Sequence, residues 1–389
     1  MAPTESTRGR IVLVVGHVAG MVDLVALPVW VGTLMQVYRL DAQKAGALVT
    51  MFLLGVVVAS LVFAPRFERL RARRWMPAGY TVAALAFAAV PEVEHYAAMA
   101  LLHALGGLAV GCSLSFVHGT IGRSANPHRL WATAGLALGV FAIVFLGGMP
   151  IVVQRFGGPG LFYGLAAVMA IAAGVSTIDQ PLAQPGSAAA AALGAQRAAM
   201  PVALRWAIAG VVCLTVTQSM MFSFVERIGT ERGFGLEHVV GVLIAIGFVN
   251  LLPAALAGLL QFRLAAHKVA MAGPVVQGLL ALVIAQSAIF APYAVATTLL
   301  PFVTIFTHTF VFGAMARLDP SGRAVALTPA MLMTGSAVGP LLGGTLVVGL
   351  GYGSLGFAGL AIAALGLVAF SRLRPPPTVP APAAPAALR

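Results

Sequence analysis

Asp23 is an acidic residue inside a long apolar stretch of the sequence. The stretch runs from about residue 11 to residue 37, and a helix needs roughly 20 apolar residues to cross a bilayer. Asp23 therefore falls near the middle of a predicted span, where a charged carboxylate costs about 2.5–3.5 kcal/mol. Acidic residues at this depth usually face a bundle interior or a wet cavity and belong to a proton or ion pathway. The alternatives are a structural hydrogen bond between helices or a pairing with His17.

A second apolar stretch, from about residue 293 to residue 316, carries polar residues at helical spacing. Thr297, Thr304 and His308 are separated by seven and four residues, which places them on one face of a helix. Histidine titrates near neutral pH and can relay protons, so His308 is a second candidate for proton coupling. Thr304 is a candidate substrate contact. Alternatively, the hydroxyls bond to their own helix backbone and the histidine bridges helices.

Five other residues within apolar stretches are candidate substrate contacts. They are Gln218, Thr215, His103, Trp30 and Phe222. Their amide, hydroxyl and imidazole groups can hydrogen-bond a polar ligand. The two aromatic side chains can line a site for an apolar ligand, with packing in the protein core as the alternative.

Two further ionisable residues lie near the ends of apolar stretches. Glu226 directly precedes Arg227, which predicts an interfacial ion pair, with a gating role as the alternative. His118 lies near the end of another stretch, which favours a role at a loop over a role in a site.

The composition indicates a protein whose solvent is lipid. Of the 389 residues, 60% are hydrophobic and 9% are charged, and the mean hydropathy is +0.97. A soluble globular protein has about 25% charged residues. The formal net charge is +12, but most of the Arg residues are scattered between apolar runs, which argues against a clustered nucleic-acid face. Cys112 and Cys213 both lie in apolar runs, so a disulfide framework is not expected.

Twelve apolar stretches predict twelve membrane-spanning helices, because lipid cannot satisfy open backbone groups. Their approximate limits are 11–37, 45–64, 75–91, 96–120, 130–153, 160–178, 202–226, 238–260, 269–290, 293–316, 324–348 and 354–371.

The chain divides into two halves of six spans each. The predicted parts are a cytoplasmic N-terminus (1–10), a first bundle (11–178), a cytoplasmic linker (179–201), a second bundle (202–372) and a disordered Pro/Ala-rich tail (373–389). With both termini inside, 18 of the 23 Lys and Arg residues fall on the cytoplasmic side, as the positive-inside rule requires.

Short segments of the two halves match at a constant offset. Residues 44–48 (KAGAL) resemble residues 239–243 (VVGVL) at an offset of 195, which also relates Phe67 to Phe262. The same offset places Gln218 opposite Asp23. This agreement indicates an internal duplication.

Twelve spans in two similar halves with a cytoplasmic middle loop resemble the major facilitator superfamily. The loop motif G-x-L-A-D-R-x-G-R of that family is matched by Ala64, Arg66 and Arg69, although Pro65 stands in place of its Asp. A second motif resembles the G-x-x-x-G-P-x-x-G-G pattern of family antiporters, but it lies in the eleventh span instead of the fifth. Its small residues predict a close helix contact at Gly335, Gly339, Pro340, Gly343 and Gly344.

The resemblance implies an all-α membrane fold of two pseudo-symmetric six-helix bundles around a central cavity. Alternating access would come from rocking of the bundles about a midplane site. In this family the first, fourth, seventh and tenth spans line the cavity, which would bring the candidate residues together. No Lys or Arg lies in the middle of these spans, which favours neutral, weakly basic or amphipathic substrates over strongly anionic ones.

The sequence predicts a proton-coupled secondary transporter, with efflux of a small organic molecule favoured. Zinc-protease, nucleophile-elbow and nucleotide-binding motifs are absent from it, which argues against an enzyme or an ATP-driven pump. No cofactor, metal site or nucleic-acid partner is expected. The expected partners are the substrate, protons and lipid, for a monomer in a bacterial inner membrane. Uptake of a sugar or organic acid is one alternative, and a receptor or assembly protein that does not transport is another.

The charge distribution makes the topology testable. Reporter proteins fused after Ala190 should be active on the cytoplasmic side, because that residue lies in the predicted linker. A reporter placed outside the cell at this position would contradict the predicted orientation.

Overall fold

The computed structural model describes residues 6–63, 66, 70–124, 126–178, 201–318 and 328–373. These residues form helices and loops, without a strand. Most of the predicted linker and tail, as well as Arg69, lie outside the described residues.

Fourteen α-helices are named here in chain order. The first seven are α1 Thr7–Gly20, α2 Val22–Gln36, α3 Ala42–Phe63, α4 Ala72–Ala89, α5 Tyr96–Gly122, α6 Pro127–Phe156 and α7 Gly158–Ile178. The others are α8 Val202–Glu231, α9 Leu236–Val249, α10 Pro253–Leu260, α11 Ala266–Gln286, α12 Phe290–Leu318, α13 Thr328–Leu350 and α14 Gly353–Ser371. Helices α1 and α2 occupy the first predicted span, α9 and α10 occupy the eighth, and each other helix occupies one span.

Within the described ranges, ten helices are long and apolar enough to cross a membrane, with α1 and α2 taken together. Helix α4 occupies the third predicted span and α9 with α10 the eighth, and neither is among the ten. Helix α4 carries two arginines in its first turn, and α9 has only 14 residues. The count of twelve spans therefore stays a prediction.

Two predicted spans are divided instead of continuous. The first divides at Met21, whose backbone (φ −110°, ψ 18°) leaves the helical region. Gly20 precedes it, and glycine weakens a helix interior. The eighth divides between Val249 and Pro253, where proline lacks the N–H that a continuous helix would use. The helix at the N-terminus also begins earlier than predicted, at Thr7, where the Ser6 side chain accepts a hydrogen bond from the Gly9 amide.

The helices pack as two groups that follow the two halves of the sequence. In the first half, α5 packs against α3 and α4, and α4 also packs against α7. In the second half, α11 packs against α12 and α14, and α8 packs against α14. Contacts between the halves run from α3 to α13, from α6 to α9 and from α2 to α8. We call the end of the bundle that holds Gln36 and Ala42 the distal end; the predicted topology places it outside the cell.

The contact between α3 and α13 combines a glycine with a hydroxyl bridge. The Thr50 hydroxyl donates to the Ala337 carbonyl at 2.7 Å and accepts from the Leu341 amide at 3.3 Å. These two backbone groups are the partners of one helical turn, next to Pro340. The Pro340 carbonyl packs directly against the backbone of Gly46. A Cβ at Gly46 would overlap this carbonyl, so the close contact requires glycine. Thr50 therefore ties the two halves together at the point where proline disturbs α13.

The glycine motif of α13 lies at contacts on two sides of the helix. Added Cβ atoms on three of its glycines would overlap α8: Gly335 at Thr215, Gly339 at Ser219 and Met220, and Gly343 at Phe224 and Met220. A Cβ on Gly344 would overlap the Ala42 carbonyl of α3. Helix α13 thus reaches both neighbours through bare backbone, as small residues allow in membrane helices.

Gly339 and Gly349 form a matched pair for testing this packing. A Cβ at Gly339 would lie 2.5 Å from the Met220 amide nitrogen, whereas nothing lies within 4 Å of a Cβ at Gly349. Overpacking typically costs about 1–3 kcal/mol of folding stability. We therefore expect Gly339→Leu to destabilise the protein by at least this amount and to lower its melting temperature in detergent. Gly349→Leu should leave the melting temperature unchanged or slightly raised. Equal melting temperatures for both variants would contradict the packing role.

Candidate functional site

Asp23 lies in the first turn of α2, directly after the break at Met21. Its side chain is fully buried, and neither carboxylate oxygen has a side-chain partner; the backbone amides of Asp23 and Leu24 in the same helical turn are the groups that interact with it. The first turn of a helix carries free N–H groups and the positive end of the helix dipole, which act favourably on a negative charge. The fold therefore buries this carboxyl group without a side-chain partner, in the modest positive field of the first helical turn.

His17 is not the partner of Asp23. Its Nδ1 lies 3.1 Å from Nε2 of His118, and both imidazole rings contact Trp131. This pairing contradicts the alternative in which Asp23 is paired with His17. It also corrects the expectation for His118, which bonds to another span instead of facing a loop.

A chain of hydrogen bonds joins three helices of the second half. The Thr304 hydroxyl lies 2.9 Å from Oε1 of Gln218, to which it can donate, and 3.1 Å from the Leu300 carbonyl. It accepts from Nε2 of Gln277 at 2.6 Å, while the same amide nitrogen donates to the Leu214 carbonyl at 2.9 Å. Gln218 and Thr304 are thus brought together as the sequence reading expects. Gln277 is fully buried and its Oε1 has no partner.

Gln277 is a residue that the sequence reading missed. It lies in α11, in the ninth predicted span, outside the four spans that the family resemblance assigns to the cavity. Its position was nevertheless an available signal. A single amide side chain in the middle of an apolar span is costly unless it is paired, so Gln277 could have been recognised as a candidate site residue.

Two other predicted contacts pack within the second half. The Thr215 hydroxyl lies 3.2 Å from the Val211 carbonyl and 3.1 Å from the Val212 carbonyl of its own helix, and it faces Gly335. Phe222 is 5% exposed and belongs to the hydrophobic core. Both positions agree with the packing alternative.

Trp30 and His103 form a closed pair in the first half, and both are fully buried. The Trp30 indole N–H donates to Nε2 of His103 at 3.3 Å. Nδ1 of His103 lies 2.7 Å from the Met99 carbonyl, so it carries the proton and the imidazole is neutral. Phe52 and Phe87 contact the indole ring. All three ring nitrogens of Trp30 and His103 are therefore already hydrogen-bonded within the protein.

His308 is partly exposed, and its Nδ1 is buried without a partner. Its ring lies 4.9 Å from that of Phe312, one turn along α12. Since Asp23 has no side-chain partner, the two residues are not bonded to each other. The proton-coupling roles of both stay predictions.

Glu226 contacts the other half of the protein instead of Arg227. Gln36 of α2 donates from Nε2 to Oε1 of Glu226 at 3.0 Å, while Arg227 donates to Glu231 at 2.9 Å. The predicted interfacial pair with Arg227 is therefore replaced by a contact between the halves. Sequence alone gave no means of pairing two residues 190 positions apart.

A separate open pocket of about 510 Å³ lies between α9 and α12 at the distal end. Glu237, His238 and Phe290 are among its lining residues, and none of the predicted site residues is.

A sequence model of the Major Facilitator Superfamily matches residues 12–320, which is most of the chain. The chain belongs to this superfamily. The all-α fold of that superfamily, predicted from the sequence, is confirmed. A comparison with curated proteins finds no match.

Among solved structures, the fold is similar to that of a mutant of the nucleoside transporter NupG. The TM-score is 0.70, with 12% sequence identity over 94% of this chain and 99% of that one. At this identity the likeness establishes the fold alone. Together, the superfamily and this fold indicate a multi-pass membrane protein that acts as a secondary transporter and not as an enzyme.

The superfamily loop motif is described in part. Arg66 donates from a guanidinium N–H to the Val62 carbonyl at 2.6 Å, one turn back along the chain. Arg69 lies outside the described residues, so its predicted role in the motif stays a prediction.

Replacing Trp30 distinguishes packing from substrate contact. Trp30→Phe removes the indole donor and leaves the buried Nε2 of His103 unpartnered, which costs about 1–3 kcal/mol. We expect a lower melting temperature, with Trp75→Phe as the control because Trp75 is 42% exposed on α4. An unchanged melting temperature together with weaker substrate binding would instead place Trp30 in the substrate site.

Proposed function

We propose that this chain is a proton-coupled secondary transporter of a small organic molecule and that Asp23 binds the coupled proton. The observation that carries the proposal is the complete burial of an acidic side chain with no side-chain partner for either oxygen. Native proteins rarely leave buried polar groups unpaired, and such groups call for a functional account. Within a membrane span, an ionisable residue of this kind is a functional site by default.

The coupling follows from the cost of burying a charge. An unpaired carboxylate in a closed, dry interior is unfavourable by several kcal/mol, so the closed arrangement favours the neutral acid. When water reaches Asp23, the carboxylate is solvated and the proton can leave. Proton binding and alternating access are then linked, because the proton stabilises one set of states over the other.

The proposed substrate site is the polar chain of the second half. Gln218, Thr304 and Gln277 offer amide and hydroxyl groups, with one acceptor of Gln277 unused. In the described residues of α2 and α5 there is no Lys or Arg, and those of α8 and α12 lie near the helix ends. This distribution supports neutral, weakly basic or amphipathic substrates. His308 is the second proposed proton-coupling residue. Trp30, His103, Phe222 and Thr215 are bonded or packed within the protein in this conformation, so we propose them as substrate contacts in another state of the transport cycle.

We propose efflux as the direction, by a monomer in a bacterial inner membrane with both termini in the cytoplasm. Because the NupG neighbour is a nucleoside transporter, nucleosides belong in the first substrate panel beside weakly basic amphipathic amines. Uptake is the alternative, and the sign of flux under an imposed gradient distinguishes the two.

Asp23→Asn tests the proposal in proteoliposomes that contain a pH-sensitive dye. We expect the wild type to move protons when a transported compound of the panel is added. The variant should lose gradient-driven accumulation by at least about tenfold while keeping passive exchange, since the amide hydrogen-bonds but does not titrate.

Asp41→Asn is the matched control. Asp41 lies in an exposed loop, where its side chain accepts from the Lys44 amide at 2.7 Å, and an asparagine can make the same bond. This control should retain coupled transport. Accumulation driven by pH alone in Asp23→Asn would assign the proton to another group, and a wild type driven by sodium and insensitive to pH would reject proton coupling.

A further inference from the structure

A second buried carboxyl group lies at the distal end, where α2 meets α8. Glu226 is 6% exposed, and its Oε1 accepts from Gln36 at 3.0 Å. Its Oε2 has no hydrogen-bond partner. This oxygen lies against Gly32, where an added Cβ would overlap it. The side chain of one half thus fits into a notch that a glycine leaves in the other half.

The ionisable groups around Glu226 form their hydrogen bonds with other residues, although Arg227 and Tyr293 are close enough to interact with it electrostatically. Arg227 follows it in α8 and donates to Glu231 at 2.9 Å, and Tyr352, at the start of α14, also interacts with that guanidinium. Tyr293 of α12 donates its hydroxyl to the Val225 carbonyl at 2.6 Å. From α2, Gln36 is a neutral partner. Among the described residues, no cationic side chain lies within ion-pair distance of Glu226.

We propose that Glu226 is a second proton-binding site and that its protonation holds the distal end closed. The Gln36 and Gly32 contacts exist only while α2 and α8 are together at this end. With the end closed, an ionised Glu226 would be a buried anion with one neutral hydrogen bond, and the charge of neighbouring Arg227 only partly offsets the loss of hydration. The neutral acid keeps the bond from Gln36 without that cost. When the halves separate, water solvates the carboxylate and the carboxyl O–H bond breaks, releasing one proton to the solvent.

This site is separate from Asp23 in position and in role. Asp23 begins α2, whereas Glu226 meets α2 near its other end, at Gly32 and Gln36. The inference goes beyond the proposed transport function, because closure of the distal end requires no substrate. A measurement of the halves' separation can therefore fail or succeed independently of coupled transport.

The test measures the distance across the distal end by electron paramagnetic resonance. Spin labels at Glu94→Cys and Ala288→Cys report it, since both residues are exposed in distal loops of different halves. The native Cys112 and Cys213 are replaced by Ala in this background. In proteoliposomes of the full chain, we expect lower pH to favour the short distance. The ratio of short to long distances should change by no more than about tenfold per pH unit, the limit for one proton.

Glu226→Gln imitates the neutral acid and should give the short distance at every pH. The matched control is Glu231→Gln, which removes a carboxylate five residues further along α8 that is bonded to Arg227. It should retain the wild-type pH response. The response should also persist in an Asp23→Asn background.

Three results would overturn the proposal: no pH response in the wild type, a wild-type response in Glu226→Gln, or loss of the response in Asp23→Asn alone. If Glu226→Gln fails to fold, Gly32→Ala gives an independent answer. Its methyl group would displace Oε2 from the notch, so we expect the long distance to predominate at every pH. If Gly32→Ala gives the short distance and keeps the wild-type pH response, the proposed contact between Glu226 and Gly32 is wrong.

Discussion

The hydrocarbon of a bilayer offers no hydrogen bonds, so each polar group within it must find a partner inside the protein or remain unpaired at a cost. Several buried hydroxyl groups of the described helices obey that constraint locally. Ser115, Ser176 and Ser223 each donate to a carbonyl four residues earlier in their own helix. Beside Pro340 the bond crosses between helices, as the Thr50 hydroxyl of α3 contacts the Ala337 carbonyl and the Leu341 amide of α13. Polar residues that escape this rule are therefore informative.

Contact between the two halves depends on the same constraint together with bare backbone. Helix α13 approaches α8 and α3 through glycines, which brings carbonyl and hydroxyl groups of different helices within bonding range. Within the second half Ser219 lies 3.4 Å from the Gly335 carbonyl, and between the halves Gln43 donates to Thr345 at 3.2 Å. Contacts built from few side chains can separate without exposing large apolar surfaces, which suits an interface between moving bundles.

Hydropathy predicted the positions of the helices and the family resemblance, because lipid exposure imposes a strong compositional constraint on each span. It could not predict the breaks at Met21 and before Pro253, since Gly and Pro are tolerated in membrane helices when neighbours satisfy the freed groups. Pairings across the fold were also out of reach. The Gln36–Glu226 bond and the hydrogen bonds of Gln277 depend on which faces of different helices contact each other. Residue spacing along a single sequence does not reveal these contacts. Thr215, by contrast, shows that a polar residue at a promising position can bond to its own backbone.

Helix α5 shows how hydrogen bonding distinguishes polar residues with a structural role from those with a functional role. The resemblance assigns its span to the cavity, yet His103, His118 and Ser113 of this helix all have partners in the first half. The buried atoms without a partner lie in other helices. Of the helices that the family resemblance assigns to the cavity, α2, α8 and α12 contain them. The residues are Asp23, Thr217, Glu226, Arg227, Thr297 and His308. Unsatisfied groups are destabilising in a single fixed structure, but they are useful in a protein with more than one conformation, because each can gain water, a proton or a ligand in another state. The distribution of unpaired atoms therefore points to α2, α8 and α12, more than to α5, as the helices whose surroundings change during transport.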